Sequence, residues 1–567
     1  MKNVDMFLAL GVALIACQPA HAATPVSAVE LIQRHQAWRG GQAYADVRGA
    51  HLAGTSKVAG LEGRLDRRLD LSKAEPAVRV ERRMGPLHQI RGGDGRGSWA
   101  LTLSGQVEVI STNESRKLVQ EEGLYLGRLP AGGDLVVGDV ELIDGRNCTS
   151  VGRATPEGRY ALLIEADTGL LCGALLDQGE GEQRIVFSDW RWVAGVRMAF
   201  ASVMTDADRH EAFIADHVRL NPIFEDDDFS RPAAAQVVQF DAGRSDSGWL
   251  DFEFHKQRQI FIPGAVNGHD VPMMLDTGAE VTLIDKGLAE ALGIVGEGEI
   301  PAVGTSGSES VALARGVDIR LGAVTLKNLT VGIYDFAPLA AAMKHPLPVL
   351  LGKEVMNEAV IDIDFAASRI RMVDRAAYRP TAAAREVALV TLTGLRAVPI
   401  RIEDGPEVLG MFDLGSAKAL TLFPSYVAEH GLLDGRAVSE GSSHGVGGLS
   451  AVRTMTVQRL HLAGFDLEDV AADVPEAHGI WVRDVAAANL GLPLFSRFRL
   501  AIDFAGDRLF LTPGHAVEHA TGADLTMVLN NDEGRQVTMV LNDDQQRGVT
   551  LVVNKGEGRR QAPVVDF

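Results

Sequence analysis

The chain has 567 residues with 61 Gly, 20 Phe, 6 Trp and 3 Cys and a formal net charge of -20, which gives room for three or four domains and argues against a nucleic acid or an anionic membrane surface as partner. Three Cys are too few for a disulfide-built scaffold, and the 15 His form no His-Glu-x-x-His or similar cluster, so neither a zinc site nor a cofactor is indicated.

Taken in chain order, Lys2 and the apolar run Met6 to Ala16 precede Ala20-His21-Ala22, a small-x-small cleavage pattern, so residues 1–22 read as a secretory signal. A second reading competes, because Leu14-Ile15-Ala16-Cys17 resembles a bacterial lipobox; residues 1–16 would then be removed and Cys17 lipidated, tethering the protein to a membrane. Both readings predict export, to the periplasm or to a membrane anchor facing it. Cys148 and Cys172 flank a predicted hairpin and are a disulfide candidate in such an oxidising compartment, with two buried free thiols as the alternative.

Residues 24–222 predict a strand-rich domain opened by a helix over Val26 to Trp38 and stopped by Gly40-Gly41. Trp99, Leu101 and Leu103 alternate with small or polar residues before a turn at Ser104-Gly105-Gln106, giving a sheet with one buried face. The order of helix and then antiparallel sheet resembles the lipoprotein-carrier type of curved sheet. Asp167-Thr168-Gly169 fits a hairpin turn. The acidic run Glu225 to Asp228, followed by Arg231-Pro232 and three Ala, marks residues 223–245 as a linker.

An internal repeat follows. Asp276 and Asp413 lie 137 residues apart, while Leu351-Gly352 and Leu490-Gly491, like Asp364-Phe365 and Asp503-Phe504, lie 139 apart. Three landmarks held in register define a duplicated domain, over residues 246–376 and 385–513. In the first copy Ile260 to Ile262 and Val271 to Leu275 read as strands joined at Asn267-Gly268, so Asp276 leaves the end of a buried strand. A carboxylate there is costly unless it is used. Strand, acidic Gly turn, strand and helix recur around Asp413.

At these residues the chain resembles the retropepsin-like branch of the aspartic peptidases, in a bacterial, exported and duplicated form. Asp276-Thr277-Gly278-Ala279 matches the Asp-Thr-Gly-Ala signature, and Val349-Leu350-Leu351-Gly352 matches the apolar element that closes a lobe. The second turn, Asp413-Leu414-Gly415-Ser416, departs from the pattern at Leu414, which lacks the hydroxyl that braces the two lobes in the family. The resemblance implies a mainly β fold of two pepsin-like lobes with Asp276 and Asp413 as catalytic dyad, sharing one proton, activating water on a peptide or protein substrate at acid pH without metal or covalent intermediate. Ser416 is placed to hydrogen-bond the outer oxygen of Asp413. The resemblance also makes Gly304, Ser306 and Gly307 flap residues, whereas Gly441 to Gly448 reads equally as a second hairpin or a surface loop. Gly441-Ser442-Ser443-His444-Gly445 spells a serine-hydrolase elbow, but no helix pattern follows it.

Beyond Pro513, segments beginning Thr526, Thr538 and Thr550 recur every 12 residues and predict a three-strand tail over 520–567. Three functions are consistent with the sequence: a monomeric endopeptidase using both aspartates, a homodimeric one using Asp276 from each chain, and a peptide-binding or sensory protein without turnover.

Overall fold

A computed structural model describes residues 26–514 apart from 180, 208, 306, 393, 446, 478 and 483–485, together with strands at 527–530, 536–541 and 549–553. The leader, Cys17 and the flap candidate Ser306 lie outside the described residues. The chain divides into two units, residues 1–48 with 119–207, and residues 49–118 with 208–567.

The first unit is helix plus antiparallel sheet. Helix Ala28–Arg39 starts where the Ser27 hydroxyl accepts the Glu30 amide at 3.2 Å and stops at Gly40, whose φ of 131° is open to glycine. Six strands from Val136–Ile143 to Val196–Thr205 pair with their chain neighbours. Alternate residues such as Tyr160, Leu162 and Ile164 turn inward with Leu31 and Phe187. Cys148 and Cys172, on the strands either side of Gly158–Glu165, are disulfide-bonded with Cα atoms 6.4 Å apart. Asp167-Thr168-Gly169 forms the turn before strand Leu171–Asp177, where Gly169 donates to Glu165 O.

The second unit opens with a meander from Gly49–Val58 to the short hairpin Ser98–Leu101 and Val107–Val109. Trp99 and Leu101 are buried as the alternation predicts, but the chain leaves the strand before Leu103, which sits in the hairpin turn. The expected linker carries structure: a 3-10 turn spans Asp226–Phe229, and strand Val238–Phe240 pairs with Leu326 to Val324. The amides of Val237 and Val238 donate to the Glu358 carboxylate at 2.7 and 3.2 Å.

Two lobes follow with the same internal plan. In the first, hairpin strands Gln259–Val266 and His269–Leu275 meet at Asn267 (φ 48°) and Gly268 (φ 85°), the left-handed pair of a tight type I′ turn. Strand Val349–Leu351 then runs parallel to the end of His269–Leu275 and antiparallel to Leu283–Asp285. In the second lobe Ala488–Gly491 lies likewise between Glu407–Asp413 and Leu420–Leu422. The repeated Leu-Gly is thereby accounted for. It threads between the two strands that flank each acidic turn, so closely that a methyl group on Gly352 would lie 2.5 Å from the Val281 carbonyl carbon and one on Gly491 1.9 Å from Lys418 O. A third sheet joins the copies: Ala359–Asp364 pairs antiparallel with Phe498–Asp503, and the repeat-equivalent residues Asp362 and Ala501 face each other, which places the axis relating the lobes at that pair. Beyond Pro513, strands Met527–Asn530, Gln536–Leu541 and Val549–Val553 pair in sequence order.

Candidate active site

Each acidic turn is delivered by its strand to the floor of a cleft of about 790 Å³ between the lobes, lined by Asp276, Gly278, Asp413, Gly415, Trp481 and Asn489 among others. The Asp276 and Asp413 carboxyls are partly buried at the cleft floor and hydrogen-bonded to each other. Gly278 N donates to Asp276 Oδ1 at 2.7 Å; Gly415 N and Ser416 N donate to Asp413 Oδ1 at 2.9 and 3.2 Å. The two turns interdigitate, and this close approach accounts for their glycines. A methyl group on Gly415 would lie 2.3 Å from Asp276 Cγ, and one on Gly278 3.0 Å from Asp413 Oδ1.

Burial first, and the Asp413 charge second, push the Asp276 carboxyl well above the carboxylate range. Burial also raises Asp413, but three groups pull it back: the Asn489 amide and the backbone N–H of Gly415 and Ser416. Asn489 Nδ2 donates to Asp413 Oδ2 at 2.7 Å. Asp413 receives three donors, from Asn489, Gly415 and Ser416, against the Gly278 and Ala279 amides on Asp276, an asymmetry that favours the charge on Asp413 and the shared proton on Asp276.

Ser416 does not take the predicted place. Its backbone N–H serves Asp413, while its hydroxyl accepts from Lys418 N at 3.4 Å, and the outer oxygen of Asp413 belongs to Asn489. Asn489 was not among the sequence candidates, although a signal existed, because it stands 139 residues after Leu350, a polar residue in an otherwise apolar repeat position.

The interlobe brace is one-sided, as Leu414 implies. Thr277 Oγ1 donates to Phe412 O at 3.2 Å and accepts from Leu414 N at 2.8 Å, whereas the Leu414 side chain packs in the shared apolar core. Ala279 lines the cleft and its backbone amide supports Asp276. Behind the first turn, buried Glu354 accepts from Thr282 N at 2.7 Å and Thr282 Oγ1 at 2.9 Å.

Both Gly/Ser-rich segments are hairpins over the cleft. Strands Glu297–Gly304 and Gly307–Leu321 close with Gly304 opposite Gly307, and Trp481 Nε1 donates to Thr305 O at 2.7 Å. Gly441 to Gly448 belongs to a second hairpin, Ser439–Gly445 with Gly448–Leu462, so the apparent serine elbow is a strand, with Ser442, Ser443 and His444 lining the same cleft. Among the described residues one group could ligate a cation, Glu253, His255 and His345. It is distinct from the two-aspartate constellation.

Residues 262–355 match the family model for aspartyl protease. No curated protein matches the chain. Among solved structures, the chain is similar to an aspartic proteinase from Irpex lacteus, at 10% identity and a TM-score of 0.32 over 48% of this chain and 99% of that one. It is also similar to a LolA superfamily protein from Nitrosomonas europaea, at 13% identity and a TM-score of 0.27 over 36% and 98%. A third is a lipoprotein-sorting protein domain from Vibrio parahaemolyticus, at 12% identity and a TM-score of 0.24 over 35% and 95%. Within this chain, the match to aspartyl protease spans 262–355 and so includes the first acidic turn and its Leu-Gly element.

Proposed function

We propose that the protein is a single-chain aspartic endopeptidase whose dyad is Asp276 and Asp413. The observation that carries this reading is the hydrogen bond between the two carboxyls at the floor of an interlobe cleft. Ionised Asp413 takes a proton from a water molecule as its oxygen attacks the peptide carbonyl, while Asp276 donates its proton toward the developing oxyanion. Collapse of the tetrahedral species breaks the C–N bond, the hydroxyl formed from the carbonyl oxygen returns its proton to Asp276, and the proton gained by Asp413 passes to the leaving amine, so the pair is again left with one proton. The active form has one proton on the pair, so activity falls at low pH when Asp413 is protonated and at high pH when Asp276 ionises. The Cys148–Cys172 disulfide supports a working compartment outside the reducing cytoplasm.

The test is hydrolysis of an unfolded protein and its inhibition by a statine-type peptide. Asp276→Ala and Asp413→Ala should each lower kcat/KM by at least about a hundredfold, the scale of losing a general acid or base. Full activity in Asp413→Ala would instead support a homodimer built on Asp276, and no hydrolysis by the unaltered chain would support a peptide-binding protein.

A further inference from the structure

The hairpin Ser98–Leu101 and Val107–Val109 belongs to the meander, not to either lobe, yet its turn residue Leu103 lines the cleft that holds Asp276 and Asp413. Three connections fix the turn there. Ser104, buried in the turn, donates to Glu280 Oε1 at 3.3 Å and accepts from Asn357 Nδ2 at 3.5 Å, and its hydroxyl is bridged to Thr102 Oγ1 at 2.9 Å. Glu108 on the returning strand pairs with Lys353 Nζ at 3.2 Å, and the same ammonium pairs with Glu280 at 2.6 Å and donates to Gly394 O at 2.5 Å. Gly105 O accepts from Ala235 N at 2.8 Å.

Lys353 is 3% exposed, so its ammonium is sequestered among two carboxylates and a carbonyl and cannot wander as a surface lysine would. Glu280 directly follows the Asp276 turn, and Lys353 directly follows the Leu-Gly element. The clamp therefore ties the hairpin to the two segments that build the first acidic turn, and leaves a branched apolar side chain facing substrate space.

We infer that Leu103 is a specificity-determining residue: the meander supplies part of the wall of the substrate cleft, and one subsite selects its peptide side chain by contact with Leu103, with Lys353 as positioning residue. This rests on the peptidase reading above. The ligand class is a peptide with an aliphatic side chain at that subsite, since an apolar wall rewards apolar burial and penalises a charged side chain that it cannot solvate.

The full chain and its Leu103→Ala and Leu103→Asp variants would be given a mixture of peptides varied at each position around one scissile bond. Leu103→Ala should change kcat/KM ratios at one position by on the order of tenfold, in favour of larger side chains, and leave ratios at the other positions unchanged. Leu103→Asp should turn the preference at that same position toward basic side chains. Lys353→Met should raise KM more than it lowers kcat, and Lys353→Arg should restore most of the loss. Hydrolysis by all chains with identical preference profiles would overturn this inference and leave the peptidase reading intact. Absence of hydrolysis by the unaltered chain would overturn both.

Discussion

A carboxyl pair that shares one site must place one proton, and here Asn489 biases the choice by donating to Asp413 alone, beside the Gly415 and Ser416 amides. Replacing it with Leu, the residue at the equivalent position of the first copy, removes a charge-assisted hydrogen bond while keeping the side chain's size. The sign follows from the preferred form. Asn489 stabilises ionised Asp413 and holds its pKa down, so its loss raises that pKa and moves the acid limb of the kcat/KM profile to higher pH. Asn489→Leu should also lower kcat/KM about ten- to hundredfold, the scale of a hydrogen bond to a charged group. A pH–rate profile checks both; an unmoved acid limb would contradict the assignment of the base to Asp413. The limits of sequence reading are visible at the same residue. Asp276 and Asp413 announce themselves by repeat spacing and flanking strands, whereas an Asn inside an apolar triplet shows its role only once the parallel pairing of Met411 with Asn489 brings it alongside the second turn.

At the scale of the elements, the two lobes meet through a brace of which one half is missing. Thr277 serves two main-chain groups of the opposite lobe, Phe412 O and Leu414 N, and the Leu414 side chain returns neither bond. Thr277→Val keeps the shape of the side chain and strands both groups in a buried setting, at a cost of about 1–3 kcal/mol for each group left unsatisfied. The expected result is a lower Tm, by several degrees, with a fall in kcat; Ser at the same position should recover most of both. Differential scanning calorimetry and steady-state kinetics on the two variants decide it. Leu414 as a departure from the pattern was legible in the sequence, and the lobes themselves were legible from the landmark spacing. The meander hairpin was legible as strands too, since Trp99 and Leu101 are buried, but alternation could not say that Leu103 would fall two residues past the strand end and outside that face. Register is set by pairing partners that lie far away in the chain.

At the scale of the whole molecule, pH acts on the fold as well as on the carboxyl pair. His35 in the first unit is buried beside Arg39, with Nε2 3.2 Å from Gly127 O, and burial and the arginine charge lower its pKa to about 3. A base with a depressed folded pKa contributes stability above its unfolded pKa, near 6.5, and that contribution is lost as pH falls toward 3. The stability of the first unit should therefore decline on acidification below about pH 6.5 by roughly 1.4 kcal/mol for each pH unit while His35 stays neutral in the fold and charged in the unfolded chain. His35→Phe should flatten this dependence, since Tyr44 Oη still donates to Gly127 O at 2.8 Å. Chemical denaturation at pH 4, 5.5 and 7 measures it; equal pH slopes for the two chains would exclude His35 as the source.

The Leu-to-Asn exchange between the copies at positions 350 and 489 has one further consequence. Two identical halves related by a two-fold axis present the same face to a peptide read from its amino end or from its carboxyl end. Once one half alone carries the amide that fixes the charge, the halves are no longer interchangeable. On the peptidase reading, a bound chain would encounter different chemistry in its two orientations, and the duplicated lobes would acquire a reading direction.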